Sequence, residues 1–242
     1  MEKSVEIPTS DDHVIYGTLN WQEPKSDKLI IFVHGLNGAQ NRHQFHNAAR
    51  FFPKNGFATF RFNLYSSKEK GRVLHECSIK THSSDVDTVV EHFRSKFKEI
   101  HLVGHSLGGP SIIYSSQKVK SLILWDSSLV LNKKDRDELW EYDKSRNLYI
   151  IKYRTHFFIS KEIRDEWQVS GENMVELLKV PTKIICAGKS LLPARWKKVV
   201  GKIKVDHEFS VIGGANHSFD EEGTEEELFA QTLQWLKSFP RP

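Results

Sequence analysis

Sulfur is scarce in this sequence: two cysteines, Cys77 and Cys186, and two methionines occur among 242 residues. Two cysteines cannot build the disulfide framework of a small secreted protein, so we expect a reducing, cytoplasmic location. The first residues lack a basic region followed by an apolar stretch, and no secretory signal is predicted. The chain also lacks an apolar run long enough to cross a bilayer, which argues against stable membrane insertion.

Concentrated charge is missing as well. The net charge of +4 arises from 35 basic and 31 acidic residues, which are interleaved along the chain. No basic stripe of the kind that binds phosphates is present, so nucleic acid is excluded as an expected partner. The twelve histidines include no HExxH and no other metal-ligand spacing, so no metal site is predicted. The sequence does not indicate an oligomeric state.

Short apolar segments alternate with amphipathic ones along most of the chain. Lys28–Val33 is a continuous apolar run, typical of a strand buried on both faces of a parallel sheet. Ser4–Pro8 and Val14–Trp21 are extended segments joined by a polar turn. This order predicts an α/β protein with a mostly parallel, doubly wound sheet and an antiparallel N-terminal hairpin.

A polar stretch of roughly fifty residues, Ser127 to Lys179, interrupts this alternation. It contains a charged run from Lys133 to Arg146 with helical character, followed by apolar and aromatic segments. We therefore expect a single domain over residues 1–242, with a small cap inserted at about 127–179.

The most informative motif is Gly104-His105-Ser106-Leu107-Gly108. It follows the predicted strand Glu99–Val103 and precedes a predicted helix that has Pro110 in its first turn. A G-x-S-x-G between a strand and a helix is a nucleophile elbow, in which a sharp turn projects the serine above the sheet. Ser106 is therefore the predicted nucleophile; a glycine-rich turn that happens to contain serine is the alternative.

A serine hydroxyl at neutral pH needs a base to remove its proton. Gly213–Phe219 lies between the last predicted strand and the last predicted helix, which places His217 on a loop at the same sheet edge as Ser106. His217 is the predicted general base, with a surface-loop histidine as the alternative. We expect His105 to pack beside the turn and His34 to shape the loop after its strand.

An oxyanion hole also requires two N–H donors aimed at the developing charge. The main chain of Leu107, directly after the nucleophile, supplies one. The second is expected from His34-Gly35-Leu36-Asn37-Gly38, where Gly35 lets the backbone turn close to the site and Leu36 is the natural donor. An ordinary strand–helix turn is the alternative for this loop.

Together these segments resemble the α/β-hydrolases, and the resemblance spans nearly the whole chain. It rests on HGLNG at 34–38, GHSLGG at 104–109 and Asn216-His217-Ser218-Phe219. The hairpin and the cap position look like small carboxylesterases of the cinnamoyl and feruloyl esterase kind, and like monoacylglycerol lipases. The resemblance implies a serine hydrolase that needs no cofactor and cleaves a small-molecule carboxylic ester through an acyl-enzyme. A thioesterase, an amidase or a non-hydrolytic binding protein of this fold are the alternatives.

The sequence departs from this resemblance at the acid of the triad. Family members usually place an aspartate shortly after the glycine that ends the penultimate strand, but Gly188 is followed by Lys189–Pro193 without a carboxylate. Some lipases of this fold carry the acid one strand earlier. Asp126 occupies that position, directly after the predicted strand Ser121–Trp125, and is the predicted acid.

The sequence offers alternatives for the acid. Asp126 could instead cap the N–H groups that follow its strand, and Ser190 could orient the histidine as a neutral partner. Asp206 lies at the opening of the last predicted strand, and Asp220 lies three residues past His217, so neither is favoured.

Aromatic residues of the insert are the candidates for substrate binding. We predict that they line an apolar pocket over Ser106, which suits an aryl or acyl group. Packing of these rings against the sheet is an equal alternative. The residues are Tyr149, Tyr153, Phe157, Phe158 and Trp167. The segment Asn63-Leu64-Tyr65 also departs from the family, which often has an aspartate and glycines there.

Overall fold

The computed structural model describes residues 1–131, 140–152, 156–169 and 171–239. The strands within these ranges are β1 Glu2–Pro8, β2 Val14–Asn20, β3 Lys28–Val33, β4 Ala58–Phe62, β5 Glu99–His105, β6 Ser121–Trp125, β7 Trp140–Asp143, β8 Leu148–Lys152, β9 His156–Ile159, β10 Thr182–Ala187 and β11 His207–Ile212. The helices are α1 His43–Phe51, α2 Ile79–Arg94, α3 Gly108–Ile113, α4 Lys161–Val169, α5 Leu192–Val199 and α6 Thr224–Lys237. Over the described ranges, none of these helices has both the length and the apolar character needed to cross a membrane.

The larger sheet has eight strands in the order β1-β2-β4-β3-β5-β6-β10-β11. The pairings β1–β2 and β2–β4 are antiparallel, and those from β4 through β11 are parallel. The predicted mostly parallel sheet with an antiparallel N-terminal hairpin is confirmed.

Both faces of this sheet are buried, because successive residues of a strand point to opposite sides. In β3, Leu29 and Ile31 belong to one core cluster, whereas Ile30 and Phe32 belong to the other. Helices α2, α3 and α5 supply apolar side chains to the first cluster, and α1 and α6 supply them to the second. A strand covered on both faces has no solvent side, which explains the uninterrupted apolar run in the sequence.

Parallel strands bring the loops that follow them to one edge of the sheet. Strands β3, β5, β6, β10 and β11 end at that edge. The segments that leave it are 34–38, 106–107, 126–128, 188–191 and 213–219. Ligands of open α/β sheets bind at this carboxyl edge, so the fold collects the candidate residues there.

The insert between β6 and β10 forms a second, antiparallel sheet in the order β7-β8-β9, followed by α4. The helix predicted for Lys133 to Arg146 is wrong over its described part. Residues 132–139 lie outside the described ranges, and Trp140–Asp143 is strand β7 paired with β8. Aromatic and acidic residues alternate along β7, and this period of two suits a strand.

Arg72 ties the N-terminal hairpin to helix α2. Its guanidinium donates two hydrogen bonds to Asp85 on α2, at 2.7 and 2.8 Å, and two to Asp11 in the β1–β2 turn, at 2.8 and 3.0 Å. The side chain of Asp85 is 2% exposed, whereas that of Asp11 is 52% exposed. The hydrogen bonds from Arg72 lower the pKa of Asp11, while burial raises the pKa of Asp85. Arg72 is therefore the main partner of a buried carboxylate.

Replacing Arg72 with methionine leaves the Asp85 carboxylate buried without that partner. We expect Arg72→Met to lower the free energy of unfolding by about 3 kcal/mol, measured by urea denaturation at neutral pH. The matched control is Arg94→Met, which removes an exposed pair with Glu91 and an exposed hydrogen bond to Lys118 O, and it should cost less than about 1 kcal/mol. Similar losses in the two variants would show that the ion pair at Asp85 contributes no special stability.

Candidate active site

Ser106 occupies the turn between β5 and α3 with a φ of 54°, in the left-handed region. A residue with a side chain adopts this conformation only when its surroundings impose it. The main-chain N–H of Ser106 donates to Trp125 O at 3.2 Å, and Ser128 N–H donates to Ser106 O at 3.0 Å. A Cβ on Gly108 would lie 2.2 Å from Val33 O, so α3 approaches β3 this closely only with glycine there. The backbone has the strained strand-to-helix turn that a nucleophile elbow requires.

Asp126, the first residue after β6, is completely buried. Its Oδ2 accepts a hydrogen bond from His217 Nδ1 at 2.6 Å. Its Oδ1 accepts from Ala187 N–H and from the Ser190 hydroxyl, both at 2.9 Å. An ionised carboxylate can only accept, so Nδ1 of His217 carries a proton and Nε2 of the neutral ring has a lone pair to offer.

Asp126 and Ser190, which the sequence presents as alternative partners of His217, are hydrogen-bonded to each other. The Ser190 hydroxyl bonds to the carboxylate, which faces His217 rather than the N–H groups after β6. Asp220 hydrogen-bonds to the side chain of Asn216. The carbonyl of Asp206 accepts from the first residue of β10, at the opposite end of the sheet.

The loop that carries His217 is fixed beside the elbow. The backbone oxygen of His217 accepts a hydrogen bond from His105 Nε2 at 2.7 Å. The imidazole rings of His105 and His217 pack with centroids 4.7 Å apart. Farther along, Ser218 O lies 3.0 Å from His43 Nε2, and Ser218 N–H donates to Asn216 Oδ1 at 2.8 Å. Because His105 directly precedes Ser106, these contacts place the backbone of residue 217 at the rim occupied by the serine. The side chain of His217 is 46% exposed, so it is open to solvent there.

The loop of residues 34–38 runs directly past the serine. A Cβ on Gly35 would lie 2.7 Å from Ser106 Cβ, so a larger residue could not approach this closely. The buried His34 ring accepts at Nε2 from Leu64 N–H at 3.0 Å, so its proton is on Nδ1, which donates to Gly35 O at 2.8 Å. Burial lowers the pKa of His34 to about 4, which keeps the ring neutral.

Two main-chain N–H groups flank the serine without an acceptor. Among the hydrogen bonds of the described residues, none has the N–H of Leu36 or of Leu107 as donor. Leu107 follows Ser106 in the chain. Leu36 follows Gly35, and Gly35 lies against the side chain of Ser106. Unpaired N–H donors beside a serine are what an oxyanion hole would need.

A family model described as the alpha/beta hydrolase fold matches residues 28–160, more than half of the chain. The chain belongs to the α/β-hydrolase family. A search of curated protein sequences found no significant match.

Solved structures share the fold of this α/β-hydrolase over nearly its whole length. Est1E from Butyrivibrio proteoclasticus, with bound ferulic acid, is similar at a TM-score of 0.81 and 16% identity, covering 97% of this chain and 98% of that one. Dienelactone hydrolase from Anabaena variabilis gives a TM-score of 0.72 at 16% identity, covering 100% and 99%. Alpha/beta hydrolase domain-containing protein 10 from mouse gives 0.73 at 18%, covering 98% and 99%. At these identities the likeness is one of fold.

The insert of this α/β-hydrolase packs against both loops that flank Ser106. Leu107 shares a buried cluster with Val130 and Trp167, and Leu36 packs against that cluster from the other loop. The rings of Trp167 and Trp140 meet edge to face, with centroids 5.6 Å apart. The side chains next to the two free N–H groups are therefore apolar.

The five aromatic residues predicted to line a pocket do not behave alike. Trp167 packs with Leu107, while Tyr149 and Phe157 join the neighbouring cluster of the insert that also contacts Leu36. Phe158 does not fit the prediction of a pocket lining, because it is 38% exposed and lies beside the guanidinium of Arg146. Successive residues of β9 point to opposite faces, so Phe157 and Phe158 cannot share one lining. Tyr153 lies outside the described residues.

Tyr65 was not predicted to take part in the site. Its hydroxyl lies 3.3 Å from Gly35 O and 3.0 Å from Gly38 N, so it touches the loop that carries Leu36. A polar aromatic residue just beyond a strand, at the carboxyl edge of the sheet, is the signal that could have found it.

Four histidines are buried, and burial is the main cause that lowers the pKa of each. The pKa falls to about 4 for His34, to about 3 for His82 and His101, and well below its usual value for His105. Both ring nitrogens of His82 lack a hydrogen-bond partner within the described residues. In the same part of the chain, no group of three or more His, Cys, Asp or Glu side chains is arranged to hold a metal ion.

These rings make stability depend on pH. The unfolded chain protonates them near pH 6.5, whereas the folded chain keeps them neutral to a lower pH, so the unfolding free energy falls as the pH falls below about 6.5. Each ring contributes up to about 1.4 kcal/mol per pH unit. We expect His82→Leu to make the plot of unfolding free energy against pH shallower by up to that amount, measured by urea denaturation between about pH 6.5 and 4.5. An unchanged slope would contradict the burial of His82 as a neutral ring.

Proposed function

We propose that this α/β-hydrolase is a serine hydrolase that cleaves carboxylic esters. The hydrogen bond between Asp126 and His217 carries the proposal. This hydrogen bond gives the histidine an acidic partner, although the segment after Gly188 contains no carboxylate. It lies at the same edge of the sheet as Ser106. A binding protein without catalysis would not need a buried carboxylate aligned with an imidazole and two unpaired N–H groups beside a serine.

In the proposed acylation step, Ser106 Oγ attacks the carbonyl carbon of the ester while its proton passes to His217 Nε2. The electron pair displaced from the carbonyl gives an oxyanion, which accepts hydrogen bonds from the N–H groups of Leu36 and Leu107. Asp126 stabilises the imidazolium and holds its Nδ1–H. When the tetrahedral intermediate collapses, the bond to the alcohol oxygen breaks, and that oxygen takes the proton from Nε2.

In the deacylation step, water replaces the alcohol. His217 Nε2 removes a proton from the water as its oxygen attacks the acyl carbon, and the same two N–H groups hold the second oxyanion. The bond to Ser106 Oγ then breaks, the proton returns to that oxygen, and the carboxylic acid leaves. The cycle uses only groups of this chain and water.

The apolar surroundings of the site favour an ester with an apolar or aryl acyl group. Leu36 and Leu107 pack with Val130 and Trp167, so the insert supplies an apolar wall next to the serine and acts as its cap. Est1E, which shares the fold, is known with ferulic acid bound, and aryl esters are therefore included in the test panel. Thioesters and amides pass through the same kind of oxyanion and belong in that panel too.

Labelling with a fluorophosphonate tests the nucleophile directly. We expect the folded protein to take up one equivalent of the probe at Ser106, detected by intact mass, because the activated Oγ attacks phosphorus as it attacks a carbonyl. Ser106→Ala should abolish labelling and the hydrolysis of p-nitrophenyl esters. Ser116→Ala is the matched control, since Ser116 lies beyond α3 and bonds to Asp87. A folded protein that neither labels nor hydrolyses any ester of the panel would point to a binding role.

Changing Asp126 to asparagine tests the acid. Oδ1 accepts from Ala187 and Ser190, so the amide oxygen should stay there and the NH₂ should face His217. His217 would then accept at Nδ1 and carry its proton on Nε2, where it cannot take one from serine. We expect kcat for a p-nitrophenyl ester to fall on the order of 10³-fold or more with the fold intact by circular dichroism.

Two further variants calibrate that result. Ser190→Ala removes one donor from the carboxylate and should lower kcat by about tenfold or less, since two partners remain. Asp220→Asn alters an acid close to His217 in the chain and should leave kcat unchanged, because its partner is Asn216. Near-normal turnover in Asp126→Asn, or a large loss in Asp220→Asn, would remove Asp126 from the mechanism.

A further inference from the structure

The hydroxyl of Tyr65 bridges the two ends of the turn that contains Leu36. Tyr65 Oη donates to Gly35 O at 3.3 Å and accepts from Gly38 N–H at 3.0 Å. The Gly35 carbonyl also accepts from His34 Nδ1–H at 2.8 Å and from Gly38 N–H at 3.1 Å. Three donors therefore converge on one carbonyl oxygen, on the side of the loop that faces Tyr65.

This convergence has a consequence for the next N–H group. The carbonyl of Gly35 and the N–H of Leu36 belong to one peptide unit, which is trans. In a planar trans peptide the C=O and N–H bonds point in opposite directions. Holding Gly35 O against Tyr65 and His34 therefore turns the N–H of Leu36 away from them.

We propose that Tyr65 is a positioning residue that aims the Leu36 N–H at the oxyanion by fixing the Gly35–Leu36 peptide. The inference rests on the proposed function for its catalytic meaning, while the orientation of the peptide can be measured without any activity. Tyr65 touches no reacting atom, and it acts through the carbonyl of Gly35.

The ring of Tyr65 is held so that its hydroxyl stays in place. It packs edge to face against His34, with centroids 5.1 Å apart, and lies 6.1 Å from the ring of His82. The ring also packs against the apolar clusters of the core and of the insert. Burial raises the pKa of Tyr65, so the phenol keeps the proton that it donates to Gly35.

Kinetics of Tyr65→Phe test the catalytic half of the inference. The substitution keeps the ring and deletes Oη, so packing is retained while Gly35 O loses one of its three donors. Since removal of a whole oxyanion donor typically costs about 10²–10³-fold in kcat, we expect misalignment of one donor to lower kcat about tenfold, with KM within about twofold.

An inhibitor pair separates this effect from a general loss of structure. An alkyl trifluoromethyl ketone forms a tetrahedral adduct with the serine and places an oxyanion in the hole, so its affinity should weaken by the same factor as kcat. The matching alkyl ether, which has no carbonyl, should bind equally well to the variant and the wild type. Tyr16→Phe is the matched control, because the hydroxyl of Tyr16, on β2, donates to Glu69 O in the segment after β4, and it should change none of these values.

Magnetic resonance tests the structural half. Gly35–Leu36 is the only Gly-Leu pair in the sequence, so carbonyl-¹³C glycine combined with ¹⁵N-leucine labels this single peptide unit. We expect Tyr65→Phe to shift the carbonyl resonance of Gly35 and the amide resonance of Leu36, and Tyr16→Phe to leave both in place.

Each outcome decides the matter. A shifted peptide signal with matched losses of kcat and ketone affinity supports the inference. An unshifted signal overturns it whatever the activity, and a shifted signal with wild-type kcat and ketone affinity overturns the positioning role. Equal weakening of ketone and ether, with a lower Tm, would assign Tyr65 to packing alone and overturn it as well. If the wild type neither labels nor hydrolyses esters, the proposed function fails, and the peptide signal alone supports or overturns the orientation by Tyr65.

Discussion

The buried negative charge of Asp126 is the constraint on which the candidate site depends. Withdrawing a carboxylate from water costs several kcal/mol, and only well-aligned donors compensate for it. Ala187, Ser190 and His217 supply these donors. They belong to the end of β10, the turn after it and the loop after β11, so one charge joins three successive segments to the end of β6. Any one of these segments that moved away would leave a buried carboxylate short of a hydrogen bond.

Backbone strain accumulates around the same charge. Ser106, Asp126 and Phe219 have φ values of 54°, 38° and 55°, all at the carboxyl edge of the sheet. Such conformations cost on the order of 1–3 kcal/mol each and persist only where the surroundings impose them. Burial of side chains at these turns holds the backbone in place, because Trp125, Leu107 and the ring of Phe219 itself are buried. The apolar sheet thus maintains turns that an isolated chain would abandon.

Local patterns in the sequence were enough to predict the fold and the strand-to-helix turn at Ser106, because apolar periodicity and glycine spacing act over a few residues. Contacts set by strand order could not be predicted in detail. The prediction of Asp126 rests on its place after a strand together with the family resemblance, but its bond to Ala187 arises because β10 lies beside β6. Tyr65 was missed since its contact with Gly35 depends on β4 lying beside β3. Strand β7 was mistaken for a helix, because its pairing with β8 outweighs the helical preference of a charged segment.

Leu36 joins the insert to the loop beside Ser106. Its side chain packs against both apolar clusters of the insert, while its N–H belongs to the peptide held through Gly35 by Tyr65 and His34. Leu36 is therefore a residue whose side chain contacts the insert and whose main chain belongs to the proposed oxyanion hole. Fixed donors stabilise a transition state better than donors that must reorganise. Under the proposed function, anchoring the carbonyl of Gly35 to a partly buried tyrosine and a neutral histidine would hold the N–H of Leu36 in place beside the apolar side chains of the insert.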